Sequence, residues 1–217
     1  MLETSILRLT FLLLFLCLPA QALTPTQESV PLNKDLRHEL IEMEKQDQLH
    51  REEMVKLMEK LSGPDKQATT AKYVEVVKKQ DAIDQVNIKR LEEIVARYGW
   101  PTISLVGKEA NIAAFLILQH AELSFQKKYF PLLKEAASMN EARPADVAML
   151  EDRILMREGK KQIYGSQIRT NEVTNQLELY PIEDEENVDA RRASVGLPPL
   201  AEYLKHFGLE YKPTKKK

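Results

Sequence analysis

Residues 111–121 read Asn111-Ile112-Ala113-Ala114-Phe115-Leu116-Ile117-Leu118-Gln119-His120-Ala121. Wound as a helix, this segment is apolar on every side. Such a helix buries its whole circumference and stands at the centre of a bundle. Gln119 and His120 close it, where unpaired polar groups are costly. They require partners, and those partners are either protein groups or a ligand.

Outward toward the N-terminus, two long helices are expected. Asn33 suits an N-cap, and the seam Leu36, Leu40, Met43, Asp47, His50, Met54, Leu57 and Leu61 alternates steps of four and three, as in a bundle or coiled coil. Ser62-Gly63-Pro64-Asp65 breaks it. A second helix over 69–98 stops at Gly99, with Pro101 beyond, and one face carries Tyr73, Val77, Gln80, Asp84, Asn87, Leu91 and Tyr98. Both seams have apolar ends and a polar middle. Folded as an antiparallel hairpin about Gly63, paired positions sum to about 130, which sets Asp47 and His50 opposite Asp84 and Gln80. A polar layer at that height specifies register, forms part of a site, or meets solvent. The hairpin seam serves packing within the chain or a dimer.

Toward the C-terminus, a helix runs through Phe125, Tyr129 and Leu133, kinked or restarted at Pro131. Another opens at Pro144 and ends at Gly159, with Asp152 and Arg153 inside it. Residues 162–182 suggest a small β-hairpin about Asn171-Glu172. Glu183-Asp184-Glu185-Glu186 fits the first turn of a helix, and a last helix follows Pro198-Pro199 and ends near Gly208. The fold class is therefore mainly α, a helical bundle with a long N-terminal helical hairpin and a small β-hairpin near 162–182.

At the N-terminus, Arg8 precedes an uncharged run from Leu9 to Leu18, followed by Pro19-Ala20-Gln21-Ala22. This order is that of a secretory signal peptide over 1–22. The run is about ten residues, too short for a bilayer that needs about twenty. A linker over 23–32, a single helical domain over 33–210 and a basic tail over 211–217 complete the organisation. The expected localisation is exported, periplasmic or secreted, with no stable membrane anchor after cleavage. The one cysteine, Cys17, lies in the leader, so the mature chain has no disulfide, thiol nucleophile or thiolate metal site. The net charge of −2 is spread over interspersed signs, and no basic stripe with interleaved aromatics argues for nucleic acid. The expected partner is a small ligand or a protein.

Motifs with a fixed chemistry are absent: no GxGxxG, P-loop, HExxH, GxSxG or EF-hand loop. Asp35-x-x-His38 and Asp47-x-x-His50 resemble half of a di-iron pattern. Twelve residues apart on one helix, they face about 120° away from each other, so no metal and no cofactor is expected. His120 is the foremost candidate, as general acid or base or as a metal ligand, or else as a satisfied core histidine. Ser166 lacks a nucleophile elbow and reads as a turn residue.

Tyr98-Gly99-Trp100-Pro101, Gln119-His120-Ala121, Phe125-Gln126, Asp152-Arg153, Gly159-Lys160-Lys161-Gln162-Ile163-Tyr164-Gly165-Ser166-Gln167, and Arg191-Arg192 with Val195-Gly196-Leu197-Pro198 form an ordered series. The series resembles a bacterial domain of unknown function, the one numbered 6624, over about residues 80–205. The family more often has aspartate at the position of Glu122 and threonine at that of Ser166; both departures keep the chemical type. The resemblance implies no activity, cofactor or partner. It points to Gln119, His120, Gln126, Asp152, Arg153, Gln162, Tyr164 and Gln167.

Three functions follow as expectations. In the first, a binding or interaction module uses the polar cluster at His120, with the glutamines as amide contacts and Arg153 pairing Asp152 or an anionic ligand. In the second, a hydrolase or other acid–base enzyme uses His120 with Glu122 or Asp152. In the third, the cluster is purely structural. A carboxylate on the imidazole in an open cleft favours the enzyme, an arginine- and amide-lined cleft without one favours binding, and a closed, fully bonded cluster favours the core.

Overall fold

A computed structural model describes residues 31–60, 65–171, 174 and 176–211. The leader, most of the linker, the Ser62-Gly63-Pro64 break, part of the β-turn and the lysine tail lie outside the described residues. Eight helices and one two-stranded sheet are described: α1 Lys34–Gln48, α2 Arg51–Lys60, α3 Lys66–Tyr98, α4 Ile103–His120, α5 Leu123–Ser138, α6 Pro144–Arg157, β1 Ile168–Thr170, β2 Leu177–Leu179, α7 Val188–Ser194 and α8 Leu200–Lys205. None of these helices is long and apolar enough to cross a membrane. The chain is mainly α, as the periodicities require.

α4 lies at the centre. Ala113, Ala114, Phe115, Ile117 and Leu118 are buried in one core with Leu36, Leu40 and Met43 of α1, Leu91 and Ile94 of α3, Leu133 of α5 and Leu150 of α6. The α1 seam is thus buried against its own chain. Asn33 caps α1, accepting from Leu36 N at 3.0 Å, while its own N–H donates to Leu105 O at 2.8 Å. A second tie sits at the bend of α4. Gly107 has φ +80°, and a Cβ there would lie 2.5 Å from Arg37 Nη1. Only glycine admits that backbone beside the guanidinium, which donates to Val106 O at 3.2 Å and pairs with Glu109 at 2.6 Å.

The expected pairing across the hairpin holds: Asn87 Nδ2 donates to Met43 O at 3.0 Å, and Arg90 pairs with Glu39. Two details differ from the expected seams. The first helix is interrupted at Leu49-His50, so that α1 and α2 are separate. At the far end of α3, Tyr98 is exposed and Ile94 and Val95 fill the core, because at 3.6 residues per turn the buried stripe drifts off a strict seven-residue repeat.

α5 runs unbroken through Pro131. After α6 the chain turns into the antiparallel pair β1–β2, with Ile168 opposite Leu179, and Gln162 bridges Ile182. A smaller core of Val188, Leu200 and Leu204 sits beneath them. Gly165, at φ +72°, is pressed against it, since a Cβ there would lie 2.8 Å from Ile182 Cδ1 and 3.0 Å from Leu200 Cδ1.

Candidate functional site

His120 is the last residue of α4, and the end of that helix delivers its ring to the break between α1 and α2. Its Nδ1 lies 2.8 Å from Asp47 Oδ2 and 3.0 Å from Oδ1. Asp47 is 1% exposed, while the His120 side chain keeps 17% of its surface in solvent. One nitrogen of the imidazole is therefore held by a buried carboxylate, on a side chain that is not wholly closed off from solvent.

The carboxylate is held in turn. Arg51 Nη2 donates to Asp47 Oδ1 at 2.9 Å and to both oxygens of Asp84 at 2.8 and 2.9 Å. Gln48 Nε2 donates to Asp47 Oδ2 at 2.7 Å. Gln80 closes the layer: its Nε2 donates to Asp47 O at 2.8 Å and to Asp84 Oδ1 at 2.7 Å, and its Oε1 accepts from His50 N at 3.1 Å. That last bond supplies an acceptor to a backbone N–H freed where the helix breaks.

Burial alone would raise the Asp47 carboxyl, but the hydrogen bonds and charges of His120 and Arg51 hold it below the ordinary aspartate value of 3.8. An ionised carboxylate only accepts. Nδ1 must therefore be the donating nitrogen, which leaves Nε2 as the nitrogen that exchanges a proton with anything outside.

The carboxylate on His120 is thus Asp47, not Glu122 or Asp152. Glu122 is exposed and accepts from Ser124 Oγ at 2.5 Å. Asp152 is fully buried, and its oxygens accept from the backbone N–H groups of Ile163 at 2.7 Å, Tyr164 at 3.0 Å and Ser166 at 2.9 Å. Arg153 does not pair with Asp152 either, since neighbouring residues on a helix do not face each other. Its Nε is buried without a hydrogen-bond partner.

The remaining residues divide between two places. Gln126 is buried beside the end of α4 and donates Nε2 to Gln119 O at 2.7 Å, with its Oε1 unpartnered. Gln162 and Gln167 belong instead to the turn that precedes β1: Gln162 Nε2 donates to Gln167 O at 3.0 Å and Tyr180 O at 2.7 Å, and its Oε1 accepts from Gln167 N at 2.8 Å. Tyr164 anchors the same turn, its carbonyl accepting from Arg192 Nη1 at 2.7 Å; burial pushes its phenol up. Among the described residues no hydrogen bond joins this turn to His120, so the expected convergence of the two clusters is not seen.

Arg51 is the group that sequence reasoning missed. The available signal was its place one turn beyond Asp47, where opposite charges meet on a helix surface. No curated protein and no solved structure matches the chain. A family model does match it, over residues 34–214, and with that span the chain belongs to a family of unknown function (DUF6624).

Proposed function

We propose that the protein is an acid–base enzyme, with hydrolysis as its reaction class and His120 as the catalytic group. One observation carries the reading: a buried carboxylate, itself fixed by Arg51, holds Nδ1 and leaves Nε2 free to exchange a proton on a side chain that is only partly buried. A carboxylate so placed orients the imidazole and stabilises its cation. In the proposed cycle, Nε2 takes a proton from water as the water oxygen adds to the substrate's electrophilic centre. It then returns that proton to the leaving group. Asp47 and Arg51 stay ionised throughout. Water suits the role, since the hydrogen bonds of His120 among the described residues include no serine hydroxyl.

The test is turnover of p-nitrophenyl acetate and p-nitrophenyl phosphate by wild type, His120→Gln and Asp47→Asn. The expected loss is at least about 100-fold for His120→Gln and about tenfold for Asp47→Asn. His120→Gln should unfold within about 1 kcal/mol of wild type. Equal turnover in His120→Gln, or a large loss of stability with none of activity, returns the cluster to the core.

The reading also places the enzyme outside the cytoplasm, supported by the order of charge, apolar run and Ala-x-Ala over residues 8–22. N-terminal sequencing of protein exported by a bacterial host is expected to begin at Leu23; a start at Met1 would contradict it.

A further inference from the structure

The guanidinium groups around His120 are unequally partnered. Arg51 is satisfied by two carboxylates. Arg157, at the solvent edge of α6, donates Nη1 to Ala121 O at 2.7 Å. That bond sets this face of α6 beside the residue following His120. Residues four apart on a helix share a face, so Arg153 lies on the same side, one turn deeper.

Arg153 has a buried Nε with no hydrogen-bond partner. No carboxylate pairs with it among the described residues, and it feels the positive charges of Arg157 and Arg51. Arg192, fully buried, donates among the described residues only to the carbonyls of Pro198 and Tyr164 and leaves Nη2 unpartnered; its guanidinium stands 4.9 Å from the ring centre of Tyr203. Burial and Arg157 push the Arg153 guanidinium down to about 10, the mark of a cation short of a counter-charge. Arg153 is partly buried; a shielded guanidinium nitrogen without an acceptor is unfavourable, and the fork of the group fits the oxygens of a carboxylate or phosphate.

We propose that Arg153, with Arg157 one turn away on the same face of α6, binds a carboxylate or phosphate group of the molecule on which His120 acts. The proposal rests on the acid–base reading for what lies beside the anion, while anion binding itself is measured without it.

Mature protein is titrated with inorganic phosphate and with acetate at constant ionic strength, chloride being the control. The readouts are the unfolding midpoint and the rate at which phenylglyoxal modifies Arg153, mapped by mass spectrometry. One oxyanion is expected to raise the midpoint saturably and to protect Arg153, which tells a phosphate site from a carboxylate site. Arg153→Met should weaken that binding at least tenfold and, in chloride alone, unfold at or above the wild-type midpoint. His120→Gln should bind the oxyanion as wild type does. Binding that survives without His120-dependent hydrolysis sinks the acid–base reading alone. His120-dependent hydrolysis without oxyanion protection of Arg153, or equal binding by Arg153→Met, overturns this proposal alone.

Discussion

Replacing Asp152 by alanine is expected to lower stability by about 4 kcal/mol, the largest effect of any single polar substitution proposed for this chain. The reason lies in what the carboxylate accepts. The N–H groups of Ile163, Tyr164 and Ser166 all end on it, in a setting where Asp152 itself is fully buried. Alanine leaves three backbone donors without an acceptor, each costing about 1–3 kcal/mol before relaxation. The damage should spread to the smaller core, because Gly165 sits in this turn against Ile182 and Leu200. Asp152→Asn keeps one acceptor oxygen and should lose about half as much. Urea unfolding of the three proteins checks the order. If alanine costs less than about 1 kcal/mol, this account of the turn is wrong.

Asp47→Ala is expected to cost about 3 kcal/mol near neutral pH, since it removes one partner from a buried ionic layer. Arg51 retains Asp84, which keeps the loss from being larger. The effect should depend on pH in a definite direction. Because the folded protein holds the Asp47 carboxyl below its ordinary value of 3.8, its contribution is present above that value. It is lost as pH falls through the lower, folded-state value. The difference between wild type and variant should therefore be full at about pH 7 and shrink as pH falls below the ordinary carboxyl value. Asp146, raised by burial, has the opposite dependence, but both proteins share it and it cancels. Urea midpoints across that range read the difference directly. A gap that persists in acid would mean that Asp47 acts by packing and not by charge.

The helices were legible because their signals are local. Asn33, Gly99, Pro144 and the all-apolar face of α4 each act within a few residues, and the hairpin register followed from two seams read together. The interruption at Leu49-His50 was not legible, because the apolar spacing continues across it; what permits the break is Gln80, whose amide meets Asp47 O and His50 N from another helix. His120 stood out as a polar group at the end of a buried helix, but its partner did not, since Asp47 is 73 residues away. Glu122 and Asp152 looked nearer in sequence or motif, and each is taken by groups close to itself. The orphaned Nε of Arg153 depends on which groups the fold sets around it, which neighbouring letters in a sequence do not convey.

That separation of 73 residues between imidazole and carboxylate has a bearing on fragments of the chain. The ring ends the fourth helix and the carboxylate ends the first, so no piece ending before His120 and none starting after Asp47 contains both. Helices one and four are also the pair that lays Leu36, Leu40 and Met43 against Phe115 and Leu118. If Nε2 is the catalytic atom as proposed, its activity is tied to completion of the bundle, and a nascent or clipped chain lacking either helix is expected to be inert.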